Sequence, residues 1–367
     1  MTRSTVGVRL GERSYEIHLG EGILAELPRL VSEFCPAASY AVISDSTVGP
    51  RYAERLTQAL SAAAPCRLLT FPAGEGHKTR ETWSNLIDQL LEAELGRDGA
   101  IVAVGGGVVG DVAGFVAATY LRGIRYVQVP TTLLAMIDSS IGGKTGIDTE
   151  IGKNLVGAFH QPTLVVADVA TLASLPIKQL AAGVAEAVKH GAIADADYVT
   201  SISANAREIL ARNPAAMADL VRRSVEIKAG VVAADEHEQG QRAVLNFGHT
   251  VGHAVEAASG YELLHGEAVA LGMVVEAALG STLGITKAGT AGALESVLQQ
   301  FDLPTQLPEA WSAERILQAM RHDKKNRAGS IRVTLLHSLG EVANSGAGEW
   351  THAVDEAAVH HALSPGF

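Results

Sequence analysis

Cysteine is nearly absent: only Cys35 and Cys66 occur in 367 residues, and neither sits in a C-x-x-C pair or a run with metal-ligand spacing. That excludes a disulfide framework and makes the reducing cytosol the expected compartment, so the chain reads as cytoplasmic. Long apolar runs are missing too. The most apolar stretch, residues 100–121, is interrupted by glycines and by Asp111, and residues 1–12 mix charges early without an apolar h-region. Neither a membrane span nor a signal peptide is expected. There is no basic excess either: 29 Lys and Arg against 40 Asp and Glu give a formal net charge of -11. Such a chain is a poor partner for nucleic acid or an anionic membrane, and any anion it binds must be met by a local basic pocket.

What is present is ample apolar material, 47% of the chain, enough at this length for two packed domains. Up to about Leu175 short β-rich runs alternate with helical ones. Strands are predicted over 15–19, 40–44, 67–71, 100–104, 126–129 and 164–167, with helical stretches over 48–62 and 78–93. That alternation signals a mostly parallel sheet covered by helices. After Pro176 the apolar positions recur at helical spacing, over 178–194, 214–234, 250–259 and 266–283. The fold expected is therefore α/β: an amino-terminal, mostly parallel nucleotide-binding domain over 1–175, then a helical domain over 176–367. A late β-run, 331–336, is expected to close a small ladder.

The helical half carries the densest chemistry. His249, His253 and His265 fall together in Leu-Asn-Phe-Gly-His-Thr-Val-Gly-His and the following His-Gly-Glu. Neutral imidazole is the commonest metal ligand, and His249 and His253, four apart on a helix, project from one face. Spacing alone leaves open which pair ligates. Upstream, Glu186 lies in Ala-Ala-Gly-Val-Ala-Glu-Ala-Val-Lys-His, with Lys189 and His190 at i+3 and i+4. It is either an ordinary Glu–Lys surface pair or a carboxylate ligand for the histidine-bound metal, with a lysine beside it to hold it ionised.

In the first half the apolar run 101–104 leads into Gly105-Gly106-Gly107-Val108-Val109-Gly110-Asp111, a G-x-G-x-x-G pattern between strand and helix. Backbone amides at such a helix start cradle a pyrophosphate. The acid that usually follows some 20 residues later is replaced by a region holding Arg122, Arg125 and Gln128, so this is not a standard dinucleotide unit. Asp45, after the run 40–44, is the better candidate for a ribose. Gly74-Glu75-Gly76-His77-Lys78, Thr131 and Thr132 add groups to the same sheet edge. Residues 137–146, rich in small side chains, hold Asp138 and Lys144 in what reads as a loop. Lys153, Asn154, Lys228, Arg242 and Asn246 are further polar groups in apolar surroundings, and Asp323-Lys324-Lys325-Asn326 reads, from charge alone, as an exposed basic turn.

Taken together, Gly-Gly-Gly-Val-Val-Gly-Asp, Val-Pro-Thr-Thr-Leu-Leu-Ala-Met-Ile-Asp-Ser-Ser-Ile-Gly-Gly-Lys-Thr, Lys-Asn-Leu-Val-Gly-Ala-Phe, Leu-Asn-Phe-Gly-His-Thr-Val-Gly-His and His-Gly-Glu resemble the 3-dehydroquinate synthase family, in order, from about residue 15 to about residue 340. The resemblance implies an NAD-binding α/β domain followed by a helical metal-binding domain. It implies that zinc, for which cobalt may substitute, is held by Glu186, His249 and His265, with His253 an active-site histidine near the substrate phosphate. By the same matching Lys144, Asn154 and Lys324 contact substrate or its phosphate, and Lys144 with Lys153 also belongs to the cofactor contacts. Lys228 and Arg242 clamp a carboxylate, while Asp138, Lys189 and Asn246 meet ring hydroxyls. Arg122, in Tyr-Leu-Arg-Gly, reaches the neighbouring site of a homodimer. Two positions depart from the family pattern at nucleotide contacts: Ala73 where Asp is usual, and Ser174 where Thr is common.

The activity so implied belongs to the shikimate pathway of aromatic amino acid biosynthesis. 3-Deoxy-D-arabino-heptulosonate 7-phosphate becomes 3-dehydroquinate and phosphate through transient oxidation at C5, β-elimination of phosphate, reduction, ring opening and aldol closure, with no net redox. The substrate's own phosphate taking the C6 proton would account for the lack of a strong protein base. Two rivals share the domain plan. A sedoheptulose 7-phosphate cyclase has no substrate carboxylate for Lys228 and Arg242 to clamp, and a dehydrogenase of the glycerol dehydrogenase type would accumulate NADH.

Overall fold

The computed structural model describes residues 3–260, 262–308, 311–321, 331–346 and 348–364. The chain forms two compact units, Met1–Leu175 with Met217–Ala233, and Pro176–Ala216 with Ala234–Phe367.

Among the described residues of the first unit nine strands appear: β1 (Ser4–Val8), β2 (Tyr15–Gly20), β3 (Tyr40–Asp45), β4 (Cys66–Phe71), β5 (Ala100–Gly105), β6 (Arg125–Pro130), β7 (Lys144–Thr149), β8 (Gly152–Phe159) and β9 (Leu164–Asp168). Seven form one sheet in the order β1-β2-β9-β6-β5-β3-β4, parallel except for the β1–β2 pair at the edge. β3, β5 and β9 are almost wholly buried, because a parallel sheet is covered on both faces. Alternate side chains divide between two cores. Ala41, Ile43, Ile101 and Ala103 pack against α3 (Arg80–Glu92) and α4 (Gly107–Thr119). Tyr40, Val42, Val102 and Val104 pack against α1 (Leu27–Phe34) and α2 (Glu54–Leu60), whose stretch is opened by a π-turn over Gly49–Ala53. The chain runs outward from β3 to β4 and returns to β5 on the other side of β3. The carboxyl ends of β3 and β5 therefore flank a topological switch point, the customary ligand position in such sheets.

The mixed α/β architecture expected from the sequence is present, with local differences. Residues 137–146 are not one loop: a π-turn covers Ala135–Ser139, and Lys144 opens β7, which pairs antiparallel with β8 as a separate hairpin. The hairpin escapes a periodicity reading because its segments are glycine-rich and polar. Edge strand β1 was likewise not anticipated.

The second unit holds α5 (Ile177–Ala194), α6 (Ala196–Ala204), α7 (Ala206–Leu210), α9 (His249–Ala258), α10 (His265–Thr282), α11 (Thr290–Gln299), α12 (Ala313–Arg321) and α13 (Glu356–Ala362). Between α7 and α9 runs α8 (Pro214–Ala234), of which residues 217–233 belong with the first unit, a return that a division at residue 175 does not contain. α5 is buried continuously from Leu180 to Ile193, with Glu186, Lys189 and His190 enclosed among its apolar side chains. A core of Val251, Val255, Leu271, Leu279, Ile316 and Val359 joins α9, α10, α12 and α13. The late β-run divides into β10 (Ile331–Val333) and β11 (Leu336–Ser338), which pair respectively with β13 (His352–Val354) and β12 (Glu341–Val342). Among the described residues no helix is long and apolar enough to cross a membrane.

Candidate functional site

In the first unit, β5 delivers Gly105 to the turn and α4 starts at Gly107, with no side-chain cap on its first amides. Packing dictates the first of these glycines: a Cβ on Gly105 would lie 2.5 Å from the Val109 side chain. One on Gly110 would lie 2.7 Å from Gln128 Oε1 on β6 and would have to displace the end of that side chain. Thr131 N donates to Gly105 O at 2.9 Å, and Thr132 Oγ1 accepts from Ala135 N at 3.2 Å, so both threonines brace the loop edge. Asp45 forms the adjoining turn: Oδ1 accepts from Thr47 N and Val48 N, each at 2.8 Å. Of the two departures, Ala73 N donates to Ser46 Oγ at 3.0 Å, and Ser174 Oγ lies 2.8 Å from Tyr52 OH.

Beside this edge lies a charge cluster. Gly74 has φ +111°, and Glu75 opens a 3-10 turn that presents Lys78, which is buried. Lys78 Nζ donates to Asp111 Oδ2 at 2.6 Å and to Asn154 Oδ1 at 2.5 Å, with Asp148 Oδ1 4.0 Å away. Burial works against its charge but is outweighed by Asp111 and Glu75, which raise its pKa. Asn154, at φ 54°, is fixed by its N–H to Asp148 Oδ1 at 2.8 Å. Lys153 Nζ sits 3.8 Å from Glu75 Oε1. Lys144 is exposed at the start of β7. Asp138, at the end of its π-turn, accepts from Lys228 Nζ of α8 at 2.5 Å, pairing two residues the resemblance gave separate roles. Arg122 is exposed on a short turn in which Leu121, Arg122 and Gly123 all have positive φ, at 49°, 68° and 113°.

In the second unit, α5, α9 and α10 bring the histidines and Glu186 together. Glu186 is fully buried and ion-paired with Lys189, one turn on along α5. Its Oε1 lies 3.4 Å from His249 Nε2 and 3.3 Å from His265 Nε2. Donor atoms held about 2.1 Å from one ion at tetrahedral to octahedral angles are themselves about 3.0–3.4 Å apart, so each Nε2 stands at metal-ligand spacing from the carboxylate oxygen. His253 joins the same cluster: one ring nitrogen from each of the three histidines falls within 4.8 Å of the others, and its ring stands edge-on to His249 with centroids 5.2 Å apart. The remaining nitrogens of the two ligand candidates face acceptors only. His249 Nδ1 is 3.1 Å from Phe247 O and His265 Nδ1 is 3.4 Å from Glu256 Oε2. Each Nδ1 therefore carries the proton, which turns the Nε2 lone pair toward Glu186 when the rings are neutral.

Without a metal the electrostatics set the two rings apart: His249 favours the neutral form and His265 the protonated one. Burial opposes the Glu186 charge, yet Lys189 and His249 hold the carboxyl well below its usual range. Burial keeps His249 below its ordinary value against the pull of Glu186. His265 resists burial through its hydrogen bonds to Glu186 and Glu256 and is raised to about 10. An entering cation must displace that proton.

Arg242, almost fully buried, donates from Nη1 to Glu236 O at 2.6 Å. Its loop is gathered by Asp235, a residue sequence reasoning passed over, which accepts from Gln239 N, Gly240 N and Arg242 N at 2.9, 2.8 and 3.0 Å. Asn246 Nδ2 reaches Glu238 Oε1 at 3.4 Å. Glu256, Glu276 and Asp148 were also missed. A carboxylate inside an apolar helical run, as in Met-Val-Val-Glu-Ala-Ala, was the available signal for Glu276. Lys324 and its neighbours Asp323, Lys325 and Asn326 lie outside the described residues.

Residues 68–182 match the family description 3-dehydroquinate synthase N-terminal, and residues 183–326 match 3-dehydroquinate synthase C-terminal. A 3-dehydroquinate synthase of Symbiobacterium thermophilum is 50% identical over 338 residues, covering 91% of this chain and 94% of that protein. Among solved structures, 2-deoxy-scyllo-inosose synthase complexed with carbaglucose-6-phosphate, NAD+ and Co2+ is similar at TM-score 0.91 and 27% identity, covering 99% of this chain and 100% of that one. The 2-epi-5-epi-valiolone synthase of Streptomyces hygroscopicus subsp. jinggangensis 5008, with NAD+ and Zn2+ bound, is similar at TM-score 0.85 and 29% identity, covering 97% of each chain. With both halves matched and half of the residues shared along nearly the full length of a curated relative, the chain belongs to the 3-dehydroquinate synthase family.

Proposed function

We propose that the protein is a 3-dehydroquinate synthase, converting 3-deoxy-D-arabino-heptulosonate 7-phosphate to 3-dehydroquinate and phosphate. The observation that carries this reading is the 50% identity to a 3-dehydroquinate synthase across 94% of that enzyme. The donor trio of Glu186, His249 and His265 supports a divalent metal, and the uncapped glycine turn before α4 supports NAD. When bound, NAD takes up and returns a hydride at the substrate's C5 while the metal withdraws charge from the oxygen there.

The chain's own residues would bind and orient. Gly105, Gly106, Gly107 and Gly110 let the backbone approach the pyrophosphate, with Asp45, Gly74, Glu75, Lys78, Asp111, Thr131, Thr132 and Lys153 around the nucleotide. Lys228 and Arg242 are buried cations suited to the substrate carboxylate. Lys144, Asn154, His253 and Lys324 are assigned to the phosphate end, and Asp138, Lys189 and Asn246 to the ring hydroxyls. Arg122, exposed on its strained turn, serves the neighbouring site of a homodimer. With no base assigned to the C6 proton, the departing phosphate takes it, so an analogue unable to position its phosphate should lose elimination.

The test is a phosphate-release assay on the purified protein with the heptulosonate phosphate, catalytic NAD and Zn2+, while absorbance follows NADH. Many phosphates released per NAD without NADH accumulating is the expected result. Stoichiometric NADH would make it a dehydrogenase, and release from sedoheptulose 7-phosphate alone would make it a sister cyclase. Arg242→Ala should lower kcat/KM by about 10- to 100-fold, the worth of a hydrogen bond to a charged group. Unchanged kinetics would remove Arg242 from the clamp.

A further inference from the structure

His249 and His265 are each the first residue of a helix, α9 and α10 respectively, and each helix sends a buried carboxylate to the start of the other. Glu276 of α10 is fully buried; its Oε2 accepts from Gly248 N at 2.6 Å and its Oε1 from Val251 N at 3.0 Å. These are amides of the first turn of α9, whose own capping residue, Gly248, has no side chain to offer them. Gly248 is bonded on either side to Phe247, whose carbonyl holds the His249 ring, and to His249 itself. Glu256 of α9, nearly as buried, stands at the Nδ1 of His265. Between these two contacts the helices touch backbone to backbone: a Cβ on Gly272 would lie 1.9 Å from Gly248 O, and one on Gly252 would lie 3.0 Å from Ala268 O.

We infer that Glu256 and Glu276 form a reciprocal clamp that positions the two histidine ligands and sets the metal affinity of the site. The inference rests on the metal reading proposed above. Both are positioning residues, since Glu276 holds backbone amides and Glu256 stands at the far ring nitrogen of His265. Glu276 fixes where the His249 ring originates, by tying the first turn of α9 to α10. Glu256 fixes how the His265 ring is rotated and which nitrogen carries its proton. A carboxylate is required at 276 because two N–H groups converge on it: glutamine offers one acceptor and would turn its NH2 against the other donor.

The experiment compares metal-free wild type, Glu256→Gln and Glu276→Gln as full-length chains, titrated with Zn2+ against a chromophoric chelator and with Co2+ by its visible absorption. Each variant should bind Zn2+ about 10- to 100-fold more weakly, the usual effect of losing a partner behind a ligand. The Co2+ spectrum should shift while far-UV circular dichroism of the metal-free protein is unchanged. A role in stability alone would lower the unfolding midpoint and leave affinity and spectrum at wild-type values; that result overturns the clamp. If Glu276→Gln does not fold, Glu256→Gln decides by the same two readouts. Wild type that fails to take up either metal would instead overturn the metal reading itself.

Discussion

Glu186 is a carboxylate without solvent, and what surrounds it decides which substitutions the site tolerates. His265→Ala or Glu186→Gln should give protein that purifies without metal, whereas His253→Ala should retain it and lose roughly 10²-fold or more in turnover. Elemental analysis beside steady-state rates checks both, and a metal-free His253→Ala would move that residue into the ligand set. Lys78 gives a second prediction. Replacing it by Ala leaves the half-buried Asp111 and Asp148 without the buried cation between them, at a cost of about 3 kcal/mol in urea unfolding at neutral pH. Because its folded pKa is raised above the ordinary 10.5, the Lys78 contribution is complete below that value and is lost as pH climbs through the higher folded one. The stability gap between wild type and variant should therefore close only in strong alkali; a gap closing near pH 7 would contradict the pairing. The histidines and the glycine run were legible because those residue types are scarce and their spacing is meaningful. Asp235, Glu256 and Glu276 were not, since an acid looks the same in sequence whether it meets water, the amides of its own loop as Asp235 does, a ring nitrogen as Glu256 does, or a neighbouring helix's amides as Glu276 does.

Helices and strands obey a simpler rule, and the contacts of their glycines separate two predictions. Gly230, exposed inside α8, has nothing within 4 Å of an added Cβ, so Gly230→Ala should stabilise by about 1 kcal/mol through helix propensity. Gly272→Ala drives a Cβ into the Gly248 carbonyl and should force α9 from α10, with loss of metal binding as well as several degrees of thermal midpoint. Thermal unfolding of both variants with and without Zn2+ reads the contrast, and a metal-competent Gly272→Ala would deny that the close approach matters. The six strands of the parallel core were readable to within a residue or so at each end: β3, β5 and β9 because wholly buried strands are continuous apolar runs between turn residues, and β2 because it alternates buried and half-buried positions. β7 and β8 were hidden because Lys-Thr-Gly-Ile-Asp-Thr and Gly-Lys-Asn-Leu-Val-Gly-Ala-Phe alternate imperfectly and carry glycine where a strand usually packs a side chain.

At the scale of the whole molecule the proposed homodimer makes its own prediction. If Arg122 acts in the partner's site, mixing inactive Arg122→Ala with inactive Glu186→Gln should restore up to about a quarter of wild-type activity, because half of randomly formed dimers are mixed and each has one intact site. No recovery after subunit exchange would confine Arg122 to its own subunit. The path of the chain could not be read from periodicity, which reports that 214–234 is a helix and says nothing of which core it joins. That path also fixes an order of events during synthesis. The first unit is interrupted at Leu175 and completed only by Met217–Ala233, so Asp138 waits for Lys228 until α5, α6 and α7 have been made. At about 5–20 residues per second this delay is on the order of 3 to 12 s. For that interval the nascent first unit lacks its last helix, and it is then that a chaperone binding exposed apolar surface would find it.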